Sequence, residues 1–161
     1  MSETPLAELI TAELIRLQLQ AAGRDEAIRE MAACLAEAER ILSVDDVVTA
    51  ALAREAEGTT NVGFGVAIPH VKAAAVLRPS LVFARSTAGL PWPAFAESEG
   101  ATARVDLLFL IAVPEQAADE HLHILARLAR ALMHEELRTQ LRQATTATET
   151  VAILRRQLEP E

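Results

Sequence analysis

The chain has 161 residues, enough for one domain of ordinary size and too few for two comfortable ones. Hydrophobic residues make up 51% and charged residues 24%, which excludes a disordered or fibrous chain. A net charge of −8, only 3% aromatics and no tyrosine argue against nucleic-acid binding, which needs clustered Lys and Arg or a stacking platform.

In chain order, Leu14–Gln20 alternates apolar and polar residues and reads as a strand with one buried face. No basic start or long apolar run precedes it, so no signal peptide is visible. A helical pattern from about Asp25 to Ile41 carries Ile28, Met31, Leu35 and Ala38 on one stripe. The lone Cys34 sits in it, which excludes an internal disulfide or a cysteine-based zinc site and reads as a small buried hydrophobe. Ser43 then caps a second helix, with Asp45 and Asp46 where the helix dipole favours negative charge and Gly58 as its stop.

A short apolar strand preceded by Gly63 and Gly65 ends in Pro69-His70. Ser80–Thr87 is the next strand, and Gly89-Leu-Pro-Trp-Pro93 reads as a turn, because two prolines do not suit a central strand. Arg104–Val113 is a near-continuous apolar run, the pattern of a strand covered on both faces. Helical patterns at about 119–133, 135–143 and 148–158 close the chain. Strands interleaved with helices in one domain predict an α/β sandwich with a mixed sheet. No stretch reaches the roughly 20 apolar residues of a membrane helix, so a protein of the reducing cytoplasm is expected, without membrane insertion.

Four histidines sort by direction. His121 shares a stripe with Leu125, Leu128 and Leu132, so it points to the buried side of its helix in the first turn, beside free N–H groups suited to an anion. His123 lies with Arg127 and Arg130 on the solvated side. His134 follows the last apolar turn, near the negative end of the helix dipole. His70 follows Pro69 at a strand end, where functional residues of open α/β sheets gather. A metal centre of His70, His121 and Asp119 or Glu120 lacks closely spaced ligands, since His121 and His123 face nearly opposite ways.

The segment Arg54-Glu55 followed by Gly58-Thr-Thr-Asn-Val-Gly-Phe-Gly-Val-Ala-Ile-Pro-His70 resembles the active-site segment of the fructose/mannitol-type EIIA domains of the bacterial sugar phosphotransferase system. Nitrogen-regulatory EIIA proteins share it. The resemblance continues through Pro79–Phe83, Val105–Pro114 and Glu120–Arg130, and covers residues 5–158 as one domain. It implies a mixed sheet flanked by helices on both sides, a three-layer sandwich. It implies that His70 accepts a phosphoryl group from the phosphocarrier HPr and passes it to an EIIB component, with His121 beside the phosphoryl group and Arg54 assisting. Neither a metal nor a cofactor is expected, because a neutral imidazole is a competent nucleophile near pH 7. The alternative within the family is a regulatory module whose His70 phosphorylation controls contacts with other proteins. Three positions depart from the pattern: Asn61 stands where glycine is frequent, Phe64 lies between two glycines, and β-branched Val71 follows His70 and is expected to narrow the approach to it. Phe64 reads either as core packing or as a hydrophobic contact for the partner.

Overall fold

The computed structural model describes residues 6–94, 102–117 and 120–158; the side chains of Leu6, Thr102, Glu120 and His121 lie outside the described set. One helical turn, α1 (Leu6–Leu9), and a 3-10 turn (Ala12–Leu14) lead into β1 (Ile15–Arg16). The helices α2 (Arg24–Glu37) and α3 (Val44–Glu57) follow. Then come β2 (Asn61–Gly63), β3 (Val66–Ala67), β4 (His70–Ala73), β5 (Ser80–Pro93) and β6 (Thr102–Pro114). The chain closes with α4 (Glu120–Ala131), α5 (Glu135–Gln143) and α6 (Ala147–Leu158).

These strands form one mixed sheet in the order β1-β5-β6-β3-β2, with β4 also paired to β6. From Leu107 onward β6 alternates between two cores. Leu108, Leu110 and Ala112 face α2 and α3, meeting Ile28, Met31, Leu35, Val47, Val48 and Ala51. Leu107, Phe109, Ile111 and Val113 face the other way, onto Leu128, Leu137, Leu141, Val151 and Leu154 of α4, α5 and α6. Helices thus cover both faces, and the both-faces-buried reading of this run holds. Cys34 is fully buried in the first core; burial pushes its thiol up to about 11, so it is inert as a nucleophile.

Ser43 caps α3 as expected, its hydroxyl accepting from the Asp46 N–H at 3.1 Å. Three boundaries differ from expectation. The helix α2 ends at Glu37 rather than near Ile41, because Glu39 adopts a left-handed φ of 60° and the N–H groups of Arg40 and Glu39 bond back to the carbonyls of Leu35 and Ala36. This is a Schellman ending without its usual glycine, so the sequence carries no stop signal there. The strand foreseen over 14–20 shrinks to Ile15–Arg16: Ile15 and Leu17 join one core, but Leu19, foreseen on their face, joins the other. Finally, β5 runs on through Pro91-Trp92-Pro93, which was expected to be a turn. A bulge between Arg85 and Leu90 shifts its register on β6, and β1 pairs only with Phe83 and Ala84. Past the bulge β5 is therefore an edge, where proline is tolerated.

The β2–β3 hairpin turns on Phe64 (φ 61°) and Gly65 (φ 80°), both left-handed, as a type I′ turn requires. Arg142 clamps it: the guanidinium binds both oxygens of Asp106, at 2.7 and 2.9 Å, and donates to the Phe64 carbonyl at 2.7 Å. The Arg138 guanidinium sits 4.2 Å over the Phe64 ring. A Cβ on Gly65 would fall 2.6 Å from the Asp106 carboxylate and 2.7 Å from the Arg142 guanidinium. Gly65→Ala is therefore expected to lower unfolding free energy by about 1–3 kcal/mol, read by urea denaturation. An unchanged midpoint would mean the clamp yields freely.

Candidate functional site

The segments β3 and β4 are one strand interrupted at Ile68-Pro69. Val66 and Ala67 pair in parallel with Leu107 and Leu108, and His70 resumes the same register opposite Ile111. Proline has no N–H to give the ladder, so pairing breaks there, although the Pro69 carbonyl still accepts from the Ile111 N–H at 3.0 Å. His70 thus opens a strand rather than ending one, which corrects the sequence expectation.

The break positions the ring. The His70 Nδ1 lies 3.0 Å from the Ile68 carbonyl oxygen, which can only accept, so Nδ1 carries the proton. Its Nε2 accepts from the Arg54 Nε–H at 3.1 Å, which marks Nε2 as the nitrogen with the lone pair. Arg54 reaches from the last turn of α3 and is steadied by donating through Nη1 to the Gly58 carbonyl at 2.8 Å. Burial is the main cause that holds the His70 pKa below its ordinary 6.5, and the Arg54 charge pushes the same way; the bond to Ile68 and the charge of Glu55 oppose them. The half-buried ring is therefore mostly neutral at pH 7, with Nε2 the nucleophile.

His70 and Arg54 line one open cleft of about 320 Å³, between α3 (Ala53, Glu57) and β4 (Val71, Lys72). Val71 is 4% exposed and packs in the core beneath, which leaves little of it to obstruct approach from solvent. Phe64 stands 56% exposed at the hairpin tip, so it is not core packing. Asn61 is buried, and its side-chain oxygen accepts from the Gly63 N–H at 3.0 Å, which braces β2. His121 falls in the first turn of α4, but its side chain is outside the described residues. On the same stripe Leu128 and Leu132 are buried, while His123 is exposed as expected. His134 follows α4 and directly precedes α5, as its place before Glu135 and Glu136 suggested.

Sequence reasoning missed Glu55, which is 5% exposed. Its carboxylate accepts from the Trp92 indole N–H at 3.2 Å, from the Thr60 N–H at 3.3 Å and from the Thr60 hydroxyl. It thereby ties the end of α3 to β5 and to the loop before β2. The signal was available: Glu55 continues the apolar stripe of Val48 and Ala51, and a carboxylate at a core position needs partners. Lys72 was also missed.

Residues 8–157 match the family model described as phosphoenolpyruvate-dependent sugar phosphotransferase system, EIIA 2. The fructose-specific EIIA component of Haloferax volcanii is 38% identical over 89% of this chain and 90% of its own length. A nitrogen regulatory protein of Bradyrhizobium diazoefficiens is 36% identical over 93% of this chain and 94% of its own. Among solved structures, the nitrogen regulatory protein IIA-Ntr of Neisseria meningitidis superposes with a TM-score of 0.79 at 32% identity, covering 91% of this chain and 97% of that one. The enzyme IIA of mannitol transport from Escherichia coli, in complex with phosphorylated enzyme IIB, gives 0.71 at 29% identity, covering 90% and 96%.

Arg54→Gln removes a positive charge beside Nε2, so the titration midpoint of His70, followed by NMR of the ring protons, is expected to rise toward 6.5. Burial, the larger cause, remains. A midpoint that stays in place or falls would remove Arg54 from the electrostatics of the site.

Proposed function

The chain belongs to the EIIA type 2 family of the phosphoenolpyruvate-dependent sugar phosphotransferase system, and from that premise we propose that His70 is its phosphoryl acceptor. The protein acts as a phosphocarrier. The donor is an HPr-like phosphohistidine protein and the recipient an EIIB component, the reaction being carried by residues 5–158 in the cytoplasm. The observation that carries the site assignment is the oriented ring: Nδ1 held on the Ile68 carbonyl and Nε2 turned to Arg54 in an open cleft.

The transfer needs no separate base. Nε2 attacks the phosphorus with its lone pair, and the bond from phosphorus to the donor nitrogen breaks, returning that electron pair to the donor. The Nδ1 proton stays on His70, so the ring becomes cationic as the bond forms. The Ile68 carbonyl, already accepting that N–H, stabilises the growing charge. Arg54 and His121 supply donors to the phosphoryl oxygens, His121 from the N-terminal turn of α4 where free N–H groups also favour an anion. Transfer onward to EIIB is the same displacement in reverse. The E. coli mannitol IIA relative, solved in complex with phosphorylated IIB, supports this choice of recipient.

The relatives named nitrogen regulatory protein support a second reading, in which phosphorylation of the same histidine governs contacts with regulatory partners. Offering the phosphorylated protein to EIIB candidates separates the two, because only the transport reading predicts rapid loss of the phosphoryl group to an EIIB.

Incubation with Enzyme I, HPr and phosphoenolpyruvate, followed by intact mass, is expected to show one acid-labile phosphoryl group on the wild type and none on His70→Ala. His121→Ala and Arg54→Ala are expected to slow transfer by about 10²–10³-fold each. Retained labelling of His70→Ala would overturn the site. Because the His70 pKa lies below its ordinary 6.5, the acceptance rate should be near its plateau at about pH 8 and fall to half only below pH 6.5. A rate that halves near pH 7 would contradict the depressed value.

A further inference from the structure

A phosphoryl group on His70 brings roughly −1.5 to −2 charges into the cleft at pH 7. Arg54 offers one positive charge; its Nη1 is held on the Gly58 carbonyl, and its Nε–H, which meets His70 Nε2 in the free protein, is released to the phosphoryl group when phosphorus bonds there. Glu57 lines the same cleft from α3 and opposes an anion. With the cationic ring and Arg54 positive, and Glu57 and the phosphoryl group negative, the cleft is left with about half to one net negative charge unless a second cation contributes.

Lys72 supplies it. Residues two apart on a strand share a face and lie about 6.6 Å apart along it. The burial of β4 follows that period, with half-buried His70, buried Val71 and exposed Lys72. Lys72 lines the cleft with Arg54 and His70, and the ion pairs among the described residues do not use it. Its four-carbon stem lets the ammonium swing over the ring without moving the backbone.

We propose that Lys72 is a catalytic residue of this site, its ammonium contacting the phosphoryl oxygens during transfer and on phosphorylated His70. The inference rests on His70 being the acceptor, and the experiment separates the two claims. Phosphoramidate serves as a small chemical donor that bypasses HPr. Its P–N bond breaks, ammonia leaves, and phosphorus bonds to the His70 nitrogen. The second ionisation of the attached phosphoryl group is then followed by ³¹P NMR against pH. A nearby ammonium favours the dianion, so Lys72→Gln should raise the midpoint by about half a unit or more, and Lys72→Arg should leave it near that of the wild type. In single-turnover transfer from phosphorylated HPr, Lys72→Gln should be at least about tenfold slower at low salt, with the gap closing as salt screens the charge. Thermal unfolding of both variants should match the wild type, because the residue is exposed.

A Lys72→Gln protein that labels at His70 with an unshifted midpoint overturns this inference alone. A wild type that neither phosphoramidate nor phosphorylated HPr labels at His70 overturns the phosphocarrier assignment, and this inference with it.

Discussion

The bond between the His70 Nδ1–H and the Ile68 carbonyl is the interaction on which the site depends. It decides which nitrogen keeps the proton, which one attacks, and where the positive charge of the transferring ring is held. The fold provides it through an interruption. The strand alongside β6 lacks a Pro69 N–H to give but keeps the Pro69 carbonyl bond to Ile111, and continues at His70 in unchanged register. Gly65 and Pro69 give their carbonyls to β6, whereas the Ile68 N–H bonds the Thr60 carbonyl on the other side and the Ile68 carbonyl meets the imidazole. A break with altered register would move the ring away from α3. The buried β6, packed on both faces, holds the two halves of the interrupted strand in line.

The second support is the C-terminal turn of α3. Arg54 and Glu55 are adjacent and point to different tasks. Arg54 turns to the cleft and meets His70, while Glu55 turns to the core and gathers Trp92 and Thr60. Truncating Glu55 would leave an indole N–H and a hydroxyl buried without partners, a loss on the order of 1–3 kcal/mol for each group. The pair therefore links the sheet, through Glu55, to the guanidinium that Gly58 and His70 hold in the cleft. Glu55 also acts on the ring through space, opposing part of the downward push that burial and Arg54 exert on its pKa. The neutral nucleophile is thus a balance of named groups, in which desolvation prevails.

Most of this was legible before any coordinates. Ser43, Gly58 and the run to Val113 each state their role through general rules of capping and patterning, and the helix at Glu135–Gln143 falls where its pattern places it. What was not legible involves residues that break a local preference because tertiary structure compels them. Glu39 and Phe64 adopt left-handed backbone with nothing in their side chains to announce it, and Pro91 and Pro93 sit in a strand because its neighbour ends early. His70 and Arg54 were found through the family resemblance, since spacing alone left His70 as one strand-end histidine among alternatives. Lys72 was hidden because it looks like ordinary surface, whereas Glu55 was passed over although it continues the apolar stripe of α3. Only their placement, in a cleft and in a core, gives them a role.

The most direct test is the identity of the phosphorylated nitrogen. Long-range ¹H–¹⁵N NMR on the ring of His70, before and after phosphorylation, reads the tautomer and the site of attachment together. The account predicts Nδ1–H in the free protein and phosphorus on Nε2 after transfer, with the Nδ1 proton retained. Phosphorus on Nδ1, or a free ring protonated at Nε2, would contradict it, because the Ile68 carbonyl would then have no donor facing it and Nε2 would not be the nucleophile.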